Sequence, residues 1–385
     1  MKKLLVVLLS VFVVFGLVGC SGGSGGDEAS PTIKLGGSGP LTGGAAVYGN
    51  DVFHAAELAV KEINEAEGFD FFDFKFEDDE ADPEKAPNAY GVLKDWGMQV
   101  SIYTTTSGAG LAVVEDYFND RIFAITPSGS NPGLVYNGST NYDNCFQVCF
   151  TDPNQGVASA DYIKNNALGE KVAIIYRSDD DYSTTVYQKF KDEAAKVGLD
   201  IVYEGSFIDT DSDYSAQLTA AQNAGADVVF LPIYYTPAAG ILTQADAMGY
   251  APVFFGIDGM DGILTLEGFD TALAEGVYLL TPFAADATDD KTVHFVTAFK
   301  EAYGGTPTQF GADAYDAVYA IYEACKAAGV DGTNSTEEIC DALIGQFTSM
   351  TFDGLTGKAT WAANGEVSKS PKAVIIENGV YVAAE

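Results

Sequence analysis

Two short loops carry closely spaced hydroxyl side chains, each directly after an apolar run. Thr106 and Ser107 stand at the start of a helical pattern, and Ser128 and Ser130 occupy a second loop rich in small polar residues. Hydroxyls together with the free N–H groups of a helix N-terminus favour an anion such as a carboxylate. Ordinary N-capping by Ser107 is the competing interpretation of the first loop.

An acidic residue and several tyrosines follow other apolar runs. Asp258 is the candidate acid, with Asp261 as the alternative partner for a positive charge. The tyrosines in comparable loops are Tyr48, Tyr182, Tyr234 and Tyr235. A buried ammonium group needs a counter-charge because an unpaired buried charge is costly. Hydroxyls on one side, a carboxylate on the other and aromatic rings around them suit a zwitterion with an apolar tail.

The sequence contains only partial matches to motifs that are typical of enzymes and metal-binding proteins. The segment 37–42 begins like a dinucleotide-binding loop, but Thr42 stands where a glycine is required. The segment 209–214 begins like an EF-hand, but Tyr214 takes the place of the required glycine. The two histidines, His54 and His294, have no cysteine or second histidine nearby in the sequence. We therefore predict a binding protein without catalytic residues, metal or cofactor, with a hydrolase on the same scaffold as the alternative.

Strand and helix patterns alternate along most of the chain. The predicted strands are 32–36, 71–76, 100–104, 122–125, 171–176, 200–204, 227–231 and 252–256. The predicted helices are 50–64, 83–96, 108–118, 184–197, 215–224, 238–248, 292–303, 312–328 and 336–343. Such alternation predicts parallel sheets covered by helices, in which ligands bind beyond the carboxyl ends of the strands. The Asn378-Gly379 dipeptide predicts a hairpin at the C-terminus.

Composition narrows the possible partners. The 385 residues carry a formal net charge of −35 at pH 7, which argues against nucleic acid and against charge-driven binding to anionic lipid. The length suggests two or three domains of ordinary size. A disulfide between Cys325 and Cys340 is one reading, and two buried thiols are the other.

The N-terminus predicts export. Residues 1–20 combine two lysines with a short apolar run, which is typical of a secretory signal. The run ends at Cys20 in a stretch that resembles the lipobox of bacterial lipoproteins, so we expect a lipidated Cys20 on the outer face of the cell membrane. Residues 21–30 are rich in glycine and serine and predict a flexible linker.

Several motifs carry a family resemblance that spans residues 31–385. The chain resembles the type I solute-binding proteins of ABC transporters, in the leucine/isoleucine/valine-binding family. The matching stretches include GGSGPLTGGAAVYG at 36–49, TSGAG at 106–110, ITPSGSNP at 125–132, FQVCFTDPNQG at 146–156 and GIDGMD at 256–261. The resemblance implies an α/β fold with two doubly wound, Rossmann-like lobes joined by a three-strand hinge.

The resemblance also implies lobe boundaries and residue roles. The N-terminal lobe would comprise 31–151 plus 281–366, and the C-terminal lobe 152–280 plus 367–385. Ser107, Ser128 and Ser130 would hold a ligand carboxylate, and Asp258 the ammonium together with Tyr235 or its neighbour Tyr234. Tyr48 and Tyr182 would line the cleft. Family members often carry glutamate in place of Asp258, which leaves the ligand's size open.

The expected function is capture of a small amino acid, branched-chain or aliphatic by default, by closure of the two lobes. The expected partners are an ABC permease with its ATPase subunits and the membrane, through the lipid anchor. The protein is expected to act as a monomer. A sensory ligand-binding subunit without transport is the alternative within the same fold.

Overall fold

The computed structural model describes residues 30–369 and 371–384. The predicted signal segment, Cys20 and nearly all of the linker lie outside these residues. Within them, no helix combines the length and the apolar character needed to span a bilayer.

Alternating strands and helices make up the described chain. The strands are β1 Ile33–Gly39, β2 Phe72–Asp78, β3 Val100–Thr104, β4 Phe123–Thr126, β5 Cys145–Gln147, β6 Lys171–Arg177, β7 Asp200–Phe207, β8 Val228–Leu231, β9 Val253–Gly256, β10 Tyr278–Thr281, β11 Phe352–Gly354, β12 Gly357–Ala359, β13 Lys372–Glu377 and β14 Val380–Ala383. The helices are α1 Ala46–Glu67, α2 Ala86–Trp96, α3 Ser107–Asn119, α4 Asp152–Asn165, α5 Asp181–Val197, α6 Ser215–Asn223, α7 Tyr235–Met248, α8 Asp290–Tyr303, α9 Gln309–Ala328 and α10 Thr336–Phe347.

Two sheets form the cores of two α/β lobes, as the sequence predicts. The first sheet has the order β2-β1-β3-β4-β5, and its strands are parallel. The second has the order β14-β13-β10-β9-β8-β6-β7, parallel except for the C-terminal hairpin β13–β14 and its pairing with β10. The five parallel strands of each sheet follow the same winding order, so each sheet reverses direction beside its first strand and opens a crevice there.

The chain passes between the sheets three times. It leaves the first sheet after β5, returns between β10 and α8, and leaves again between β12 and β13. A buried ion pair lies at the third passage, where Lys369 Nζ donates to Asp313 Oδ1 at 2.6 Å. The lobe boundaries given above remain a prediction, since these passages are segments rather than single residues.

The structure corrects two helix predictions. Helix α2 begins at Ala86 rather than at residue 83, because the Asp82 carboxylate accepts a hydrogen bond from the Glu84 N–H and closes a turn there. Helix α4 is absent from the sequence prediction altogether. The four described cysteines, Cys145, Cys149, Cys325 and Cys340, are buried and free, so Cys325 and Cys340 are not bridged.

Candidate functional site

A small cavity lies where the carboxyl ends of the strands in both sheets face each other. Its lining consists of Tyr48, Thr105, Thr106, Ser107, Ser128, Ser130, Tyr182, Tyr234, Asp258, Gly259 and Phe310. The cavity volume is about 10 Å³, roughly what one water molecule needs. The two lobes therefore meet closely across this site, and aromatic side chains occupy much of the cleft.

The Ser107 hydroxyl joins the two hydroxyl-rich loops. Ser107 is the first residue of α3, and the N-cap residue Thr106 makes no side-chain capping bond. Ser107 Oγ instead accepts hydrogen bonds from the Ser130 and Asn131 N–H groups, each at 3.2 Å. Because both bonds use the oxygen as acceptor, the Ser107 proton is left to donate elsewhere. N-capping by Ser107 is thus not the arrangement observed.

Ser128 and Ser130 differ in how their hydroxyls are engaged. Ser128 Oγ donates to the carbonyl oxygen of Thr105, so its proton is already used. Ser130 lines the cavity, and its hydroxyl lies near enough to the Asp152 carboxyl to lower the pKa of that group, but it meets hydrogen-bond geometry with neither carboxylate oxygen. Thr106 Oγ1 is also buried without a partner among the described residues. The donors open to a ligand on this side are therefore Ser107, Ser130 and Thr106.

Asp258 supplies the negative charge on the opposite side. Its carboxylate accepts a hydrogen bond from Tyr182 at 2.6 Å and from Gln155 Nε2 at 2.7 Å. Burial raises the pKa of Asp258 to about 7, against the lowering effect of the hydrogen bonds from Tyr182, Gly259 and Gln155. Near neutral pH this carboxyl exists in both states, and a cation beside it favours the ionised one.

Aromatic rings enclose the cavity. The Tyr48 ring lies edge-on to Phe310, with centroids 4.5 Å apart, and to Tyr234, at 5.3 Å. Tyr182 and Tyr234 stack at 5.1 Å. These contacts form an apolar wall beside the polar groups, suited to an aliphatic or aromatic ligand side chain.

Tyr235 is the one predicted site residue that does not line the cavity. It is the first residue of α7, and its hydroxyl oxygen accepts a hydrogen bond from the Val47 N–H at 3.2 Å. It therefore connects the two lobes beside the site. Asp261 is likewise engaged elsewhere, since its Oδ2 accepts from the Gln309 N–H at the start of α9.

The sequence prediction missed Gln155 and Phe310. Gln155 belongs to α4, whose start carries the signals of an acidic first turn and a proline at the second helical position. Phe310 lies in the first turn of α9, three residues after Pro307, ahead of the predicted start at residue 312. Both side chains sit in helix starts that face the cleft.

The described residues contain no cluster of histidine, cysteine, aspartate and glutamate suited to a metal ion. The hydroxyls at the start of α3 and the Asp258 carboxylate lie on opposite sides of the cavity, and the aromatic rings form an apolar wall beside them. The model of the periplasmic binding protein family matches residues 32–375. The chain belongs to that family.

Relatives of known identity agree with the predicted resemblance. The Leu/Ile/Val-binding protein homolog 3 of Brucella melitensis is 26% identical over 338 residues, covering 87% of this chain and 89% of the relative. The branched-chain amino acid transporter substrate binding protein LivJ from Streptococcus pneumoniae, solved with isoleucine, has a TM-score of 0.82 at 26% identity, covering 92% of this chain and 99% of its own.

A leucine binding protein, LivK, from Thermotoga maritima also has a TM-score of 0.82, at 25% identity and with 92% and 98% of the two chains covered. The predicted resemblance to type I periplasmic binding proteins of the branched-chain amino acid family is thereby confirmed. So is the two-lobed α/β fold. The family and its solved members are solute-binding proteins rather than enzymes, in agreement with the prediction made from the sequence.

Proposed function

We propose that this protein captures a small amino acid and delivers it to an ABC importer. The observation that carries the proposal is the pairing of free hydroxyl donors at the start of α3 with Asp258 across the cavity. A zwitterion matches that pairing, because its carboxylate meets donors and its ammonium meets an anion. Branched-chain or other aliphatic side chains are the default tail, supported by the aromatic wall and by what the relatives' names say of them.

Binding is coupled to movement of the lobes. The cavity volume of about 10 Å³ requires the lobes to separate before a ligand enters. The three passages between the sheets would act as the hinge, and a ligand touching both lobes would favour the closed form. The closed form would then dock on a permease with its ATPase subunits, and the binding protein itself would act as a monomer.

Export and anchoring complete the proposal. Cys20 would carry lipid, and the linker 21–30 would hold the lobes away from the outer face of the membrane. Changing Cys20 to serine should move the protein from the membrane to the soluble fraction. Mass spectrometry showing an unmodified N-terminus at another residue would contradict this part.

A thermal-shift screen against the common amino acids tests the central proposal. A ligand that binds only the folded protein raises the melting temperature in proportion to RT ln(1 + [L]/Kd). One or a few amino acids should stabilise the protein, and calorimetry should then give the affinity. If amino acids have no effect while carboxylic acids without an amine stabilise the protein, the protein is a solute-binding protein of another specificity.

A further inference from the structure

A buried hydrogen bond joins the turn that follows β9 to the start of α9. Asp261 Oδ2 accepts this bond from the Gln309 N–H at 2.9 Å, and both residues are buried. The turn follows a strand of the second sheet, whereas α9 packs against α1 and against strands of the first sheet. The bond therefore crosses from one lobe to the other.

This bond involves a carboxylate and lies outside the ligand cavity. The cavity lining found among the described residues includes Asp258 but not Asp261. Other contacts between the lobes use neutral groups, such as the bond from Thr236 Oγ1 to the carbonyl oxygen of Gly44 at 2.9 Å. A hydrogen bond to a carboxylate is roughly twice as strong as a neutral one, and the positive end of a helix dipole adds to it. Asp261 can thus stabilise the contact between the lobes without touching the ligand.

The preceding N–H group of α9 gives an internal comparison. The Thr308 N–H donates to Asp51 Oδ2 at 2.7 Å, and Asp51 belongs to α1, which packs against α9 within the same lobe. Separation of the lobes would break the bond of Asp261 and leave the bond of Asp51 in place. The start of α9 therefore meets one carboxylate from its own lobe and one from the other lobe.

The same end of α9 is connected to the cavity and to the hinge. Phe310, the residue after Gln309, lines the cavity, and Asp313 pairs with Lys369 at the third passage between the sheets. We propose that Asp261 is a positioning residue for lobe closure, whose bond to the Gln309 N–H forms only in the closed form and favours that form for every ligand that fits. This inference rests on the proposed capture by lobe closure. It adds a residue that sets the affinity without setting the specificity.

The test measures two ligands on Asp261→Asn. The probes are the amino acid that most stabilises the protein in the thermal-shift screen and its analogue without the amino group. The two Asp261 oxygens accept from the N–H groups of Gln309 and Gly262, so an asparagine amide must lose one of these bonds. A smaller population of the closed form weakens all ligands by the same factor. Competition calorimetry should give affinities roughly tenfold lower for both probes, with the ratio between the probes unchanged within about twofold.

A variant in the other lobe removes the same bond from the donor side. Gln309 is the first residue of α9, where proline is tolerated because this N–H has no partner within the helix. Gln309→Pro should lower both affinities by a factor similar to that of Asp261→Asn. The double variant should bind no more weakly than either single variant, since all three lack the same bond. Gln309→Ala keeps the N–H and should keep most of the affinity, and Gln309→Pro decides the question if Asp261→Asn does not fold.

Asp51→Asn is the matched control, because it alters the adjacent bond within one lobe. It should lower the melting temperature and leave both affinities within about twofold. An equal loss of affinity in Asp51→Asn and Asp261→Asn would show that the start of α9 needs both carboxylates for its own structure, and the inference would be wrong.

Other results would also overturn the inference while the proposed function stands. Unchanged affinities in Asp261→Asn would show that the bond does not favour closure. A loss confined to the amino acid would make Asp261 a partner of the ammonium group, and additive losses in the double variant would show that Asp261 and Gln309 act separately. A wild-type protein that binds no amino acid would overturn the proposed function, and this inference with it.

Discussion

The serines at the site differ in whether their hydroxyl proton is already used. Ser128 donates to a backbone carbonyl, whereas Ser107 only accepts within the described residues and Ser130 forms no side-chain bond there. A carboxylate can accept but not donate, so it distinguishes between these hydroxyls. Ser107 and Ser130 are therefore better carboxylate partners than Ser128, although all three line the same cavity.

Ser107→Ala should weaken amino-acid binding by about 1–3 kcal/mol, because a buried carboxylate would lose a donor. Ser215, the exposed first residue of α6, offers a matched control, and Ser215→Ala should have no effect on affinity. Calorimetry gives the affinities, and melting temperatures without ligand report any loosening of the loop that Ser107 supports. An unchanged affinity would assign the carboxylate to other donors.

The pKa of Asp258 predicts that affinity depends on pH. The carboxyl has a pKa of about 7 without ligand, and an ammonium beside it favours the ionised form. Affinity should therefore be fully developed above pH 7 and fall as the pH decreases, by up to about tenfold per pH unit. Calorimetry between pH 5 and 8 measures the slope. In Asp258→Asn the slope should be much smaller, and a wild-type affinity that does not vary with pH would contradict the ammonium–Asp258 pairing.

At the scale of elements, the start of α3 combines free N–H groups with free hydroxyls. Helix α3 has no side-chain cap, and Thr106 and Ser107 line the cavity there. A missing cap alone does not mark the site, because α2 and α6 are also uncapped and contribute no residue to the lining, whereas α5, whose Tyr182 lines the cavity, is capped by Asp180. The uncapped N–H groups and the two hydroxyls together suit an anion at the start of α3.

The contacts of the helix starts explain what the sequence could and could not predict. The apolar residues that face the core recur with the period of a helix, so the helices other than α4 could be predicted from the sequence. The first turns of α7 and α9 were missed because residues such as Tyr235, Gln309 and Phe310 contact the other lobe or the cavity rather than their own core. Helix α4 was missed for the same reason, since Asp152 and Gln155 are polar yet buried. The ends of the predicted strands identified most of the site residues. Gln155 was missed because it is polar yet buried, and Phe310 because it faces the cavity rather than the core of its lobe.

The ion pair between Lys369 and Asp313 links a passage between the lobes to α9. Both side chains are about 1% exposed. Lys369→Met should cost about 3–5 kcal/mol of unfolding free energy, because Asp313 would be left as a buried, unpaired charge. Adding Asp313→Asn should recover much of that loss. Urea unfolding measures both, and the surface pair Lys326–Glu67 is a control whose loss should cost much less, because solvent screens it.

At the scale of the whole molecule, the buried carboxyls and the net charge change the stability of the fold with pH in the same direction. Burial raises the pKa of Asp51, Asp79 and Asp313 to about 6 and that of Asp258 to about 7. In the unfolded chain such groups titrate near pH 4. Between these values the folded protein binds more protons than the unfolded chain. Stability therefore falls as the pH rises through this window.

The net charge of −35 adds to the same trend, because self-repulsion grows as carboxyls ionise. Below about pH 4 the trend should reverse, since carboxyls whose pKa is lowered by hydrogen bonds and ion pairs, such as Asp120 and Glu204, lose their stabilising contacts. The melting temperature of the unliganded protein should thus be highest near pH 4 and lower at pH 7.5. Added salt screens the repulsion between exposed charges but leaves the buried carboxyls nearly unaffected. A pH dependence that persists in 1 M salt and becomes weaker in Asp258→Asn would identify the buried carboxyls as its source, whereas one that vanishes with salt would assign it to surface repulsion alone.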